Sequence, residues 1–300
     1  MSKAVKLWLI AAGSLILLGL ITFVSAMAAN HWDFTTLSSI EYITSQHEVS
    51  VDFTDIEIDT DTADIHFLPS EDGKCKVVCY EESNVRHNVS IEDGKLKLHA
   101  VNEKKWYEYI MNFDSAKITI YLPKTEYGAL VINGNTCDVN IGKAFTFSNM
   151  DVSVDTGDVS SSATVTGMIK IKTTTGDIQL HGINANEISL EVSTGDIRLT
   201  SVNCQRLTSN GDTGDMDLKN VIASDKLSIV RDTGDVAFNK CDAGEIYIKT
   251  NTGDVEGSLL SEKIFTVKSN TGDENVPQTF SGGKCEITSN TGDINIYLAE

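Results

Sequence analysis

The chain has 300 residues, enough to bury a substantial core in one or two domains, and its three prolines leave no room for a Pro-rich linker. Its 43 acidic against 24 basic residues give a formal charge of -19, which argues against nucleic acid and anionic lipid headgroups as partners, because both require a positive surface.

The N-terminus differs in kind from the rest. Lys3 and Lys6 precede residues 7–24, an apolar run of 18 residues without a charge. As a helix that run spans about 27 Å, close to the thickness of a hydrocarbon core. No Lys or Arg occurs between Lys6 and Lys74, so the positive-inside rule leaves the N-terminus in the cytoplasm and the remainder outside. Residues 1–29 are therefore expected to be a transmembrane anchor, a single pass through the bilayer with the C-terminal domain extracellular. Ala26-Met27-Ala28 has the small-x-small form of a signal-peptidase site, and a secreted product cleaved there is the alternative. Residues 30–50 show no clear periodicity and are expected to be a linker.

Alternation of apolar and polar residues begins at Val51. Residues 51–135 are expected to form an irregular β region that caps the rest. Phe53, Ile56 and Ile58 lead into Asp61-Thr62-Ala63-Asp64-Ile65, and Glu92-Asp93-Gly94-Lys95 has the composition of a hairpin turn. Residues 117–122 form a strand stopped by Pro123, and Thr136-Cys137-Asp138-Val139 is a worn corner 20 residues before the first regular one.

From there to residue 300 the chain is periodic. Glycine falls at 157, 176, 195, 214, 234, 253, 272 and 292, always after Thr and before Asp. Seven residues before each glycine an apolar column runs Met150, Ile169, Ile188, Leu207, Leu227, Ile246, Phe265, Cys285. A second column, five before, is broken at Ser209, and a third, two after, is broken at Glu274. Polar residues alternate with these, so each strand has a wet and a dry face. No single coil buries its own dry face; stacking about 4.8 Å apart closes the core. The fold class expected is all-β: a parallel β-helix or β-solenoid of 19–20-residue coils over residues 136–300, preceded by one transmembrane helix.

The residue before each Thr has a short side-chain oxygen, which opens a turn, and the glycine supplies a positive φ. The Asp after the glycine is expected to bind free amide groups at the corner. A column of carboxylates 4.8 Å apart repels by roughly 0.9 kcal/mol per neighbour even in water, so calcium is the rival, with Asp155, Asp212 and Asp232 as further ligands. One glycine and one following carboxylate per turn do not make the Gly-Gly-x-Gly-x-Asp loop of a calcium-binding roll. Cys204, Cys241 and Cys285 occupy periodic core slots as small apolar groups. Cys75 and Cys79 share one strand face, and a crosslink from either remains open.

No site motif stands out. His31, His47, His66, His87, His99 and His181 have no metal-ligand spacing, and neither a nucleophile elbow nor a phosphate loop occurs. No catalytic, cofactor-binding or metal-ligating residue is assigned, and no cofactor. Trp106, Tyr107 and Tyr109 form the densest aromatic cluster, read as packing across a long loop, with a glycan-stacking platform as the functional alternative.

Ile56-Glu57-Ile58 before Thr62-Ala63-Asp64-Ile65, then Ile118-Thr119-Ile120-Tyr121-Leu122-Pro123, then repeated Thr-Gly-Asp-[Ile/Val], together resemble the DUF4097 family over residues 50–300. The resemblance implies a short N-terminal membrane segment before a β-helical domain, an adhesin designation, and no catalytic residues to carry over. Cys137, Ala63 and Glu274 depart from its regularity. The leading expectation is a non-catalytic cell-surface adhesin or structural binding module on the outer side of the membrane, its partner a cell-envelope polymer or another surface or membrane protein, and the lipid bilayer through residues 7–24. The alternatives are a regulatory or scaffold partner of an envelope-stress sensing system, a polysaccharide-acting β-helix enzyme, and a filament-forming subunit.

Overall fold

The computed structural model describes residues 2–32, 41–103 and 115–299. Lys3–Ala29 is one helix of 27 residues, started by Ser2, whose hydroxyl accepts the Val5 N–H at 3.4 Å. Its mean hydropathy is 2.4 over the most apolar window, and Trp8, Leu15, Ile16 and Leu18 all lie open. At about 40 Å it is long enough to cross a bilayer, and an apolar surface on all sides, unpacked by protein, is suited to lipid.

The rest is a β-solenoid. In each regular coil the dry columns stack in register: Ile188 pairs with Leu207, Leu207 with Leu227 and Leu227 with Ile246, all in parallel and all buried. The long strands Ile197–Thr213, Met216–Thr233 and Val236–Thr252 do not run straight. Each bends at a residue six past its glycine, Ser201, Asn220 or Lys240, where φ is 56, 53 and 53°. Gly182 takes the same place one coil earlier at 66°. This second corner is invisible in the sequence because non-glycine residues occupy most of it. In the next coil the register shifts by one, so that Leu259, not Leu260 at the unshifted spacing of 19, pairs with Cys241 and fills the buried slot.

The Thr-Gly-Asp corner needs its glycine twice over. At Gly195 φ is +147°, and a Cβ would collide with the carbonyl oxygen of Gly176 in the coil below. The same collision with the neighbouring glycine recurs up the column, so the corners approach too closely for any side chain. Where the column ends, Cys137 and Ala63 turn small buried side chains inward, and Gly134 leaves room for the Cys137 thiol.

At both ends the coils stack out of chain order. The coil that begins with Asp55–Thr60 and Ala63–Pro69 lies between Glu126–Thr136 and Val139–Ile141 on one side and Lys95–Asn102 and Ala116–Leu122 on the other. At the far end the final coil, Gly283–Thr291 with Ile294–Leu298, inserts between Val236–Thr252 with Val255–Leu259 and the earlier coil of Lys263–Thr271. Burial explains the choice. Cys285, Ile287, Ile294 and Ile296 form an unbroken dry face, fit for covering on both sides. The displaced coil carries Glu274, which lies exposed at the tip and accepts the Ser269 N–H at 2.6 Å. Charge is thus kept out of the core.

Two expectations about the N-terminal half change. Residues 42–49, expected to be linker, form strand Tyr42–Val49, antiparallel to Cys75–Glu82, because Ile43, Ser45, His47 and Val49 alternate toward it. The boundary at residue 136 falls at the end of strand Glu126–Thr136, which already stacks in solenoid register with Thr146–Thr156. The Asp93-Gly94 turn takes φ of 51 and 74° and joins Val85–Glu92 to Lys95–Asn102.

The break at Ser209 has a partner. Arg231, 1% exposed, reaches back into the coil below through the space that Gly211 leaves, and its Nη2 donates to Ser209 Oγ at 3.3 Å. Burial pulls the guanidinium below its ordinary pKa, opposed by Asp196, Asp215 and Asp212 nearby. All six cysteines are buried free thiols. Burial pushes Cys75, Cys79, Cys137, Cys204 and Cys285 up to about 12.

Gly195→Val is expected to cost at least about 2 kcal/mol, from strained φ and the carbonyl collision, and to lower the melting temperature by several degrees; an unchanged transition would contradict the corner geometry. The thiols ionise in the unfolded chain near 9 and in the folded chain only near 12. The folded state therefore holds more protons between those values, and their contribution to stability is lost as pH rises from 9 toward 12. Thermal melts across that range should decline less steeply for a Cys204→Ala, Cys285→Ala double variant.

Candidate functional site

Three places hold enough chemistry to be weighed. The first is the Asp column. Each corner Asp accepts, through Oδ1, the backbone N–H of the corresponding Asp in the next coil, from Asp64 through Asp138, Asp158, Asp177, Asp196, Asp215, Asp235, Asp254 and Asp293 to Asp273. These nine bonds measure 2.7–3.0 Å. One oxygen of each carboxylate is thus committed to the backbone, a charge-assisted bond. Repulsion along the column is offset locally by Arg198, which bonds Asp177 at 3.0 Å and Asp196 at 2.7 Å. Those carboxylates hold its guanidinium above the ordinary pKa. A second ladder runs beside the first: Asn290 Nδ2 donates to Asn251 Oδ1 at 3.0 Å, and Asn251 Nδ2 to Asp232 Oδ1 at 2.9 Å. Asp232, a candidate calcium ligand by sequence, is an acceptor in that ladder.

The second is a buried polar cluster that spacing gave no hint of. Among the described residues, Cys79, Glu81 and His87 are the one group of three potential metal ligands whose ligand atoms all lie within 4.8 Å of one another. His87 Nδ1 lies 2.9 Å from Glu81 Oε2 and its Nε2 2.9 Å from Thr60 Oγ1. Glu81 also accepts the His87 N–H at 2.7 Å and the Ser45 hydroxyl at 2.7 Å. The order hydroxyl, imidazole, carboxylate is that of a nucleophile, a base and its orienting group. Here, however, Thr60, His87 and Glu81 are 6, 4 and 1% exposed. Strand alternation turns Thr60 inward, away from Asp59 and Asp61 on the outer face, so its hydroxyl meets no solvent-borne substrate. The network ties the hairpin of residues 85–102 to the first coil. The signal in the sequence was phase: Glu81 and His87 stand at inward positions of strands otherwise apolar there.

The third is a groove of about 490 Å³ across the face that follows the Thr-Gly-Asp corner. Two outward columns form it. One runs Arg198, Asp217, Ala237, Glu256, Asn295 and the other Thr200, Lys219, Asn239 and Tyr297. Ala237 supplies the notch: a single methyl between the longer side chains of Asp217 and Glu256. The out-of-order final coil completes it, since Asn295 and Tyr297 stand beside Glu256 and Ser258 where chain order would have set residue 275. The first column was legible as mixed polar residues; its neighbours at the far end were not. Trp106, Tyr107 and Tyr109 lie outside the described residues.

The Toastrack DUF4097 family profile matches residues 53–221 and 203–300. A crystal structure of a putative adhesin from Bacteroides fragilis is similar at 18% identity and a TM-score of 0.48, covering 87% of this chain and 99% of that one. One of a putative adhesin from Parabacteroides distasonis is similar at 15% and 0.41, covering 84 and 98%. A putative lipid binding protein from the same organism is similar at 17% and 0.34, covering 85 and 96%. Comparison with curated proteins gives no match.

If the Asp column serves the backbone, Asp235→Ala, which strips the acceptor from the Asp254 N–H, should cost about 1–2 kcal/mol, whereas Asp235→Asn keeps an acceptor oxygen and should cost less. A chelator should leave the melting temperature of the parent chain unchanged. A large drop on chelation, or equal losses in the two variants, would return the column to cation binding.

Proposed function

The chain belongs to the Toastrack DUF4097 family, and we propose that it is a non-catalytic binding module held on the outer side of the membrane by its N-terminal helix, with the groove over residues 198–297 as its contact surface. One observation carries this reading: the groove lies toward the end of the stack opposite to where the chain enters. The first strand after the helix, Tyr42–Val49, pairs with Cys75–Glu82, and that strand with Ala116–Leu122 at the outer edge of the first coils. From there the Asp ladder advances nine steps, about 43 Å, to Asp273. A rod of that length, closed by backbone hydrogen bonds, carries a recognition face clear of the bilayer without needing a hinge. The acidic charge of the residues that follow the helix favours standing off an anionic membrane surface over lying on it.

The second oxygen of each corner Asp and the exposed side chains of the outward columns give the rod a polar exterior, while its chemistry-bearing cluster, Thr60, His87 and Glu81, is sealed. That contrast favours binding over catalysis.

The full chain, reconstituted in nanodiscs and used as bait on native cell-envelope fractions, should retain a component that Ala237→Trp releases. Ala237 faces outward and is half-buried, so the substitution fills the notch without entering the core. Retention indifferent to that variant would move the contact surface elsewhere.

A further inference from the structure

We propose that the groove takes a linear, uncharged glycan laid along the solenoid axis. The inference rests on the reading that the groove is the contact surface, and adds the class of ligand. Four features of the site lead to it.

Direction comes first. The groove follows two outward columns across successive coils, so like positions recur about every 4.8 Å along it. One pyranoside unit of a linear polysaccharide is about as long as that step, and a repeating chain can present an equivalent hydroxyl edge to each coil.

Second is the mixture of groups. Asn239 and Asn295 each offer a donor and an acceptor, Asp217 and Glu256 offer acceptors, and Lys219 offers donors. Sugar hydroxyls both donate and accept, so they are matched by alternating polarity, not by charge of one sign. Tyr297 is 58% exposed, and its ring beside the polar columns gives the apolar face of a pyranose something to stack on.

Third is the sign of the charge. Arg198 faces three carboxylates, Asp177, Asp196 and Asp217, and with Glu256 in the lining the acids at the groove outnumber its two cations, Arg198 and Lys219, on a chain of formal charge -19. A uronate- or phosphate-bearing polymer would be repelled.

Fourth, the floor turns away other polymers. Met216, Val236, Val255 and Ile294, on the strands that carry the groove residues, are paired in one continuous parallel ladder, which leaves no free backbone edge there for an extended peptide to join. Leu199, Leu218 and Phe238, the apolar side chains between the polar columns, are 0, 2 and 4% exposed, so they present scant surface of their own to an acyl chain.

The test uses the full chain in nanodiscs and isothermal titration with three neutral probes, chitohexaose, cellohexaose and maltohexaose, against hexagalacturonate. At least one neutral hexaose is expected to bind, with hexagalacturonate weaker by about tenfold or more. Ala237→Trp should abolish that binding, and Tyr297→Ala, a truncation at an exposed position, should weaken it about tenfold with the melting temperature unchanged. Failure of all three neutral probes, or preference for hexagalacturonate, overturns the glycan assignment; so does neutral binding that neither variant affects. If no hexaose binds while Ala237→Trp still releases an envelope component, the ligand class is wrong and the groove remains the contact surface. If that release fails as well, the contact-surface reading falls with it.

Discussion

Close contact between corner backbones is the constraint on which the rest of this molecule depends. A glycine at φ near +147° lets one corner lie directly on the carbonyl of the next, and the following Asp accepts the amide that the next coil presents. With the corner fixed in that way, the strands that lead into and out of it are held in register, and the dry side chains beside it fall over their counterparts; slips of one residue are confined to the stretches around the second corner and beyond it. Core packing in a solenoid is therefore less a matter of complementary shapes found by search than of columns imposed by backbone stacking. The carboxylate ladder adds charge to the same edge. Each repulsive step is offset by a bond to an amide, and near Asp177 and Asp196 also by Arg198 outside.

The same constraint makes the order of coils negotiable. Because every regular corner presents the same surface, Gly292 can sit on Gly253 as well as Gly272 could. What then decides is the cost of covering each coil on both sides. The intact apolar face of the last coil goes inside, and the coil with Glu274 goes to the tip. An interior defect is handled differently: Ser209 and Gly211 together make room for Arg231, a buried guanidinium held close to the corner carboxylates. Its Nε and Nη1 are buried without a hydrogen-bond partner among the described residues, so this charge costs stability that the nearby carboxylates offset only in part.

The proposed contact surface follows from that geometry through the wet columns. A surface that repeats at the coil spacing is suited to a ligand that repeats as well, and at Ala237 a single methyl interrupts the longer side chains of its column. The rearranged end of the solenoid is part of the same feature, because it delivers Asn295 and Tyr297 to the groove. The sealed Thr60, His87 and Glu81 network at the other end ties the first coils to the hairpin.

Much of this was legible in the residues alone. Eight glycines at intervals of 19 or 20, with their apolar columns, determine the coil, the corner and the direction of stacking, because a period in sequence maps directly onto a rise in space when neighbours pair in parallel. The long apolar run between Lys6 and Asn30 determines a helix for the same local reason. What only the tertiary structure decided depends on comparing alternatives of equal local quality. Ser201 and Lys240 turn a corner because the stacked sides on either hand force it, not because their chemistry asks for positive φ, and Asn220 at the same place is the one of the three that tolerates it readily. The exchange of the last two coils, and the meeting of Cys79, Glu81 and His87, arise between segments whose separation in sequence carries no signal. Local periodicity fixed each coil; the energy of burying one coil against another fixed their order, and with it the groove.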